Sequence, residues 1–363
     1  MNHWQGKWAL ITGASAGIGT ALARELAAGG TNLVLTARRR DRLAGLAGEL
    51  STKHNIRTLV CVADLAQPLG PQEIFSFTES KGITIDLLVN NAGFGAYGEF
   101  HKTHLDRLVE MTQVNVTAIV HLTHLYLPGM IERRGGDILI LASTAAFQPV
   151  PYITTYAATK TFDLSFAEGL AEEVRQYGVR VCALCPGSTA TEFFQVAGQR
   201  NHTRRSPETP EKVAHVGLAG LASGKSSVIS GFANWMGAEG VRFVPRRMVA
   251  RLPPEYSAPR NKRARTHGVL AKSMNADLKS LEHQLHEEGF LRTYIWQDGP
   301  NAAYADHAHA TETAHMILDG EMTLTHAGAT RTFAAGERCD VPAGGVHSAK
   351  MGPRGCRYLS GEK

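Results

Sequence analysis

Cysteine is scarce in this chain, with five in 363 residues. Cys61, Cys182, Cys185, Cys339 and Cys356 are odd in number and widely scattered, which excludes the paired framework of a small secreted domain and suits a reducing cytoplasm. Cys182 and Cys185 form a C-x-x-C, the spacing of a redox pair or of half a zinc site. They fall in the strand-like run Val179 to Leu184, where residues three apart face opposite sides of a sheet. With no second such pair in the sequence, core packing is the expected role. Long apolar runs are missing too: none reaches the 18 residues that read as a membrane span, and Met1 leads almost at once into the strand-like segment Lys7 to Thr12, leaving no room for a signal peptide. Nor is the positive charge spread over the fold. The formal net charge is +5, yet Arg242, Arg246, Arg247, Arg251, Arg260, Lys262, Arg263 and Arg265 stand together against Glu255 alone, so the remainder is slightly acidic. That excludes a basic nucleic-acid-binding fold. The local stretch 242–265 reads as a solvated linker, or as a contact for a membrane surface or an acidic carrier protein.

What the sequence does have is material for a core, with 43% hydrophobic residues, and a length that suggests two domains. From Trp8 onward short apolar runs (Ala9 to Thr12, Asn32 to Thr36, Thr58 to Val62, Ile85 to Val89, Asp137 to Ala142, Val179 to Leu184) alternate with helix-period segments such as Gly19 to Ala28, Leu105 to Tyr126 and Tyr156 to Tyr177. Alternation of this kind marks βαβ units, and the expected fold is α/β, a doubly wound parallel sheet of the Rossmann type. The pattern breaks near residue 240, where basic residues and Pro253, Pro254 and Pro259 mark a linker. Leu270, Met274, Leu278, Leu281 and Leu285 then form one apolar helix stripe that stops at Gly289, expected to pack on its own domain. Beyond it, short glycine-separated pieces (Leu291 to Trp296, His315 to Leu318, Glu321 to Thr325, Arg338 to Val341) read as a small all-β unit. The expected boundaries are therefore 1–252, a linker with helix at 253–284, and 285–363.

The first strand runs into Thr12-Gly13-Ala14-Ser15-Ala16-Gly17-Ile18-Gly19 and opens a helix. Glycines at 13, 17 and 19 permit a tight turn and let the backbone approach a pyrophosphate at the helix N-terminus. Sites that prefer NAD carry an acidic residue about 20 positions further on. Here the second strand ends Thr36-Ala37-Arg38-Arg39-Arg40 without a carboxylate. A guanidinium at Arg38, alone or with Arg39, suits a 2′-phosphate, so NADP(H) is expected, with NAD as the alternative.

Tyr156 and Lys160 lie four apart in a helix-period segment and so share a face. A cation near a phenol favours the phenolate, which lets the tyrosine exchange a proton with an alcohol closer to neutral pH. Ser143, just past a strand, is placed to hydrogen-bond a substrate oxygen. Together with Thr12 to Gly19, Asn90-Asn91-Ala92-Gly93, Asn115 and Pro186-Gly187-Ser188-Thr189, these residues closely resemble the short-chain dehydrogenase/reductase family over roughly residues 5 to 250. The resemblance implies that Tyr156 is the general acid/base, that Lys160 lowers its pKa and holds the nicotinamide ribose, that Ser143 binds the substrate oxygen, and that Asn115 anchors a relay water near Lys160. It implies a cofactor site built from Gly13, Ser15, Gly17, Ile18, Gly19, Arg38, Arg39, Asp64, Leu65, Asn91, Ala92, Gly93, Pro186, Gly187 and Thr189, with Asp64 near the adenine, and it implies a homo-oligomer. Phe94, Tyr97, Phe147, Tyr152, Phe193 and Phe194 follow strands and either receive an apolar substrate body or cover the core.

In the C-terminal unit His307 and His309 alternate along a strand, and Gly336, Pro342, Gly344 and His347 follow in the order G-x5-P-x-G-x2-H. This resembles the cupin family of small β-barrels, with Met351 in place of the usual asparagine and Thr313 at the usual glutamate position, Glu312 standing one residue away. The resemblance implies a site for one divalent metal on His307, His309 and His347, with Glu312 as a weak fourth ligand; imidazole suits zinc, copper, iron or nickel alike. The expected function is NADP(H)-dependent interconversion of a small-molecule carbonyl and its alcohol, fused to a metal-binding or small-molecule-binding cupin. The alternative is a regulatory protein that only senses NADP.

Overall fold

In the computed structural model, which describes residues 3–198, 207–251 and 280–363, the apolar runs of the N-terminal part become the strands of one parallel sheet. They are β1 (Trp8–Thr12), β2 (Asn32–Ala37), β3 (Thr58–Val62), β4 (Leu87–Asn90), β5 (Gly136–Leu141), β6 (Val179–Cys185) and β7 (Ser227–Ile229). Their order is β3-β2-β1-β4-β5-β6-β7, so the chain reverses its direction of winding between β1 and β4 and leaves a crevice there, outside the carboxyl ends of the strands. The strands are apolar on both sides because both faces are covered. Leu10, Val34, Leu88, Ile138 and Ile140 pack on one face with Met111, Ile119 and Leu122. Ile11, Leu33, Leu35, Val89 and Leu139 pack on the other with Leu22, Leu26 and Leu218. Leu10, Ile11, Leu33 and Leu35 are fully buried, each worth about 1.5–3 kcal/mol of transfer free energy.

Cys185 belongs to the first of these clusters and Cys182 to the second, so the C-x-x-C straddles the sheet. All five cysteines are free and buried. Burial pushes the Cys182 thiol up to about 12 and Cys185 upward as well, which removes redox chemistry from the pair.

The expected single helix Leu105 to Tyr126 is interrupted. Leu105–Thr112 and Ala118–Glu132 are α-helical, and Gln113–Thr117 between them is a π turn. The whole run is long and apolar enough to cross a bilayer by length and composition alone. It lies instead against the sheet, with Met111, Ile119 and Leu122 in the core.

The chain divides into two compact units, Met1–Pro259 and Arg260–Lys363. Residues 253–279 of the expected linker lie outside the described residues, as do Leu270, Met274 and Leu278 of the stripe and the basic stretch from 252 onward. Residues 280–287 are helical, and Leu285 is buried with Phe290, Ala314 and Leu359. Leu285, the last residue of the stripe, thus packs within the β unit.

The second unit contains β8 (Arg292–Asp298), β9 (Ala303–His307), β10 (Thr313–His326), β11 (Ala329–Ala334), β12 (Arg338–Val341) and β13 (His347–Glu362). All pairs are antiparallel, and β10 against β13 forms the spine. The expected break between His315 to Leu318 and Glu321 to Thr325 is a bulge within one long strand. The register shifts on both sides of Gly320, whose φ of +80° a side chain would strain. Met351, at the position where an asparagine was expected, is 1% exposed in the core with Phe333, Val341 and Tyr358.

Candidate active site

The crevice at β1/β4 is a cleft of about 370 Å³. Its floor is shaped by Thr12 at the end of β1, whose hydroxyl accepts from the backbone N–H groups of Asn91 and Ala92 at 2.9 Å and donates to Val89 O. The Asn91 amide returns a bond to Thr12 O at 2.8 Å. These contacts bring the segment after β4 so close to the glycine turn that a Cβ on Gly13 would sit 2.9 Å from Ala92 Cα. Gly13 also has a φ of +67°, so both space and backbone call for glycine. The helix Gly17–Ala28 begins at Ala16 without a side-chain cap and without an acidic residue in its first turn, leaving its N–H groups to an anion.

Gly13, Ser15, Gly17, Ile18, Arg38, Arg39, Asp64, Leu65, Asn91, Ala92, Gly93, Ser143, Tyr156, Lys160, Pro186, Gly187 and Thr189 all line this cleft. Gly19 and Asn115 do not. Gly19 is buried beneath the turn, where a Cβ would run into the Gly13 carbonyl oxygen. Asn115 sits in the π turn, 0% exposed, with its amide donating to Phe94 O at 3.0 Å and Thr159 Oγ1 at 3.1 Å. Its Oδ1 accepts from Phe94 N. In this structure its side chain therefore ties the segment after β4 to the helix Thr154–Val174.

The arginines at the lip are held by carboxylates. Arg38 reaches Glu110 at 3.5 Å and Asp64 at 3.9 Å, so Asp64 here is an ion-pair partner. Arg39 donates to Ser15 Oγ at 3.1 Å and meets Glu192 at 2.9 Å, and Arg42 meets the same carboxylate at 2.7 Å. Those arginines pull the Glu192 carboxyl below its usual range. Glu192, Glu110 and Arg42 carry no motif that would have marked them in the sequence.

At the other end of the cleft, Tyr156 and Lys160 are carried by the helix Thr154–Val174. Ser143 leaves β5 in extended conformation, caps the short turn Thr144–Phe147 by accepting from Ala145 N at 3.1 Å, and lines the same cleft as Tyr156. Burial pushes the Tyr156 phenol above its ordinary value, Ser143 draws it down, and Asp163 pushes it up. Lys160 stands beside Tyr156 on this helix. Its ammonium lies 5.9 Å from the phenol ring centroid and is engaged by Leu141 O at 2.6 Å and Asp163 at 2.9 Å. Lys160 is thus one half of an ion pair, because a carboxylate sits one turn further along the same face.

Of the six aromatic residues expected at the substrate side, Phe94, Phe193 and Phe194 line the cleft, with Phe193 5.1 Å from Tyr156. Tyr97 and Tyr152 face each other at 6.3 Å beside the cluster of Ala145, Val150 and Ile153, while Phe147 packs against the sheet core.

In the second unit the three predicted histidines converge. The ligand atoms of His307, His309 and His347 lie within 4.8 Å of one another. His307 Nδ1 pairs with Ala305 O at 2.8 Å and His347 Nδ1 with Gly345 O at 3.0 Å, which leaves the Nε2 atoms free to ligate. Burial and the two neighbouring imidazoles hold His309 below its usual pKa. Glu312 is not with them: its carboxylate pairs with Lys363 Nζ at 2.9 Å. Sequence reasoning passed over His315, buried beside Tyr358 and bonded through Nδ1 to Ser360 Oγ at 3.1 Å.

The protein-family model described as short chain dehydrogenase matches residues 7–202. The very-long-chain 3-oxoacyl-CoA reductase of Homo sapiens is 34% identical over 245 residues, covering 64% of this chain and 77% of that protein. The uncharacterized oxidoreductase YvaG of Bacillus subtilis (strain 168) is 34% identical over 252 residues, covering 63% and 94%. Among solved structures, a short-chain dehydrogenase from Sphingobium yanoikuyae in complex with NADPH matches with a TM-score of 0.60 at 29% identity, covering 65% of this chain and 94% of that one. A 7β-hydroxysteroid dehydrogenase matches with a TM-score of 0.63 at 27% identity, covering 69% and 97%. The family model spans more than half of the sequence, and the chain accordingly belongs to the short chain dehydrogenase family.

Proposed function

We propose that the N-terminal unit interconverts an aldehyde or ketone with its alcohol, using NADP(H) and accepting a substrate with an apolar body. The observation that carries this reading is the meeting of two features in one cleft: an uncapped helix N-terminus with Arg38 and Arg39 at one end, and Ser143, Tyr156 and Lys160 at the other. The glycine turn fits a pyrophosphate and the arginines fit a 2′-phosphate. The cofactor supplies or accepts the hydride. Ser143 and Tyr156 bind the substrate oxygen by hydrogen bonds that strengthen as charge develops on it. Tyr156 gives its proton to that oxygen in reduction and takes it back in oxidation. Phe193 and Phe194 keep water from the oxygen and receive the apolar body, and Lys160 orients the ribose side of the site. NADPH complexes among the neighbours of similar fold support the cofactor. A screen of aldehydes and ketones against NADPH and NADH, followed by absorbance of the reduced nicotinamide, tests it. Turnover with none of them overturns the reading.

For the C-terminal unit we read a cupin-like barrel that binds one divalent metal through His307, His309 and His347. Support comes from the convergence of the three rings and from the carbonyl partners that orient two of them. Three imidazoles leave positions open for water or a small molecule. Metal analysis of the reloaded protein, with His307→Ala and His347→Ala beside it, is expected to show about one metal per chain, lost in both variants. Stoichiometry far below one in the parent overturns the site.

A further inference from the structure

Asp163 is 0% exposed in the middle of an enzyme's catalytic helix. Beyond it the buried positions of the helix, Leu164, Ala167, Leu170 and Val174, are apolar, and an apolar side chain would fill the position without a charge to accommodate. Its Oδ1 has no hydrogen-bond partner among the described residues, so Lys160 alone compensates the carboxylate. A charge is retained in such a place only if paired, and its one partner is the lysine of the reaction.

The geometry is that of a clamp. Lys160 and Asp163 are one turn apart on the helix, 2.9 Å between Nζ and Oδ2, with side-chain exposures of 3% and 0%. A second donor of the ammonium is fixed on Leu141 O at the end of β5, at 2.6 Å. Two of three N–H groups are thereby committed, and one remains for the cleft that Lys160 lines. We propose that Asp163 is a positioning residue for proton transfer: through its ion pair it fixes the Lys160 ammonium against β5 and offsets its charge at Tyr156.

Other groups facing this pair are few. On the same helix they are Tyr156, Lys160 and Asp163, and from β6 the Cys185 thiol, which burial keeps protonated. The segment after β5 supplies Ser143 and the π turn supplies Asn115, both uncharged. Burial pushes Asp163 up and Lys160 draws it back, while Asp163 in turn pushes the Tyr156 phenol up. The lysine is thus kept as a fixed anchor whose effect on the phenol is muted, which favours a Tyr156 that carries a proton to give.

The inference rests on the reading of Tyr156 as the acid/base, and the experiment separates the two. The pH dependence of kcat/KM for alcohol oxidation reports the phenolate, since only the deprotonated tyrosine takes the alcohol proton. Asp163→Asn keeps the shape and removes the charge; Asp163→Val removes the bond as well. Both are expected to move the acidic limb to lower pH by at least about half a unit, the scale of one nearby charge, and Asp163→Glu to leave it near wild type. An active Asp163→Asn or Asp163→Val enzyme with an unmoved limb overturns the proposal. Should those variants fail to fold, phenolate absorbance taken as the difference between proteins with Tyr156 and with Tyr156→Phe decides. The double variant Lys160→Met, Asp163→Leu, which removes both charges together, is then expected to change the phenol's titration by less than about half a unit, and a rise of more than about one unit would show a lysine whose charge was not offset. If Tyr156→Phe itself retains activity, the parent reading fails; if it is inactive and the limbs do not move, only the role of Asp163 fails.

Discussion

Glu192 and Arg39 meet at 2.9 Å across the mouth of the nucleotide cleft, joining the segment after β6 to the start of the helix Arg40–His54 that follows β2. Both side chains are more than two-fifths exposed, so the pair itself adds little stability. On the proposed NADP(H) reading its importance is competitive, because a 2′-phosphate at Arg39 would have to take the place of a carboxylate already there. Glu192→Gln is therefore expected to improve NADPH efficiency by roughly two- to fivefold, in line with a surface ion pair of at most about 1 kcal/mol, with NADH nearly unaffected. Steady-state kinetics with both cofactors check it, and an equal change for the two would remove Glu192 from the phosphate site.

Tyr156→Phe should abolish turnover while leaving NADPH binding intact, since the ring and its packing against Phe193 are kept and only the transferable proton is lost. General acid/base catalysis contributes about 10²- to 10⁴-fold. Retention of more than about a tenth of the activity is incompatible with that role.

Arg38→Asp removes one guanidinium from the lip and offers a ribose hydroxyl an acceptor. A charge-assisted pair is worth about 1.5 to 3 kcal/mol, so the ratio of NADPH to NADH efficiency should fall at least about tenfold. The new carboxylate also lands beside Asp64 and Glu110, the present partners of Arg38. A small loss of thermal stability, partly recovered by Glu110→Gln, is expected with it.

The second unit should lose stability in acid through His315. Burial and the neighbouring imidazoles hold this ring down to about 4, against 6.5 when exposed, and its Nδ1 is bonded to Ser360. Between those values the unfolded chain binds a proton that the folded one refuses, so the contribution is intact above 6.5 and is lost as pH falls toward 4, about 3 kcal/mol in all. Denaturation of the metal-free protein at pH 7.5 and at about pH 4.5 measures it. His315→Gln should show a shallower acid loss, and the same slope in both would point to another group.

How much of this was legible in the sequence depends on the length of each signal. β1 to β6 announce themselves because a buried parallel strand must be apolar on both faces, and the runs around Ile11, Leu35 and Val89 are. β7 has three residues, all half-buried, and leaves no run to find. The π turn at Gln113–Thr117 is invisible because its residues suit an α-helix equally well. β13 is sixteen residues long but contains Gly352, Pro353 and Gly355, which read as a break until the pairing with β10 is seen. The histidines were found because strand spacing and a motif agree. Glu312 stands just before β10, and its carboxylate meets Lys363 and does not join the three histidines. Asp163 and Glu192 matter only through contacts with residues already singled out, and a single sequence does not display contacts.

The position of β13 in the second sheet sets the order in which the chain matures during synthesis. β13 pairs with β10, β8 and β9, so every other strand of that sheet except β11 and β12 borders it directly. The first sheet has all its strands once residue 229 has been made, and the second lacks its spine until residue 362 has. A nucleotide-binding unit able to close on its own core therefore leaves the ribosome well before the histidine-bearing unit acquires the strand that begins with His347, and chains stalled in that interval expose the long edge of β10 to one another.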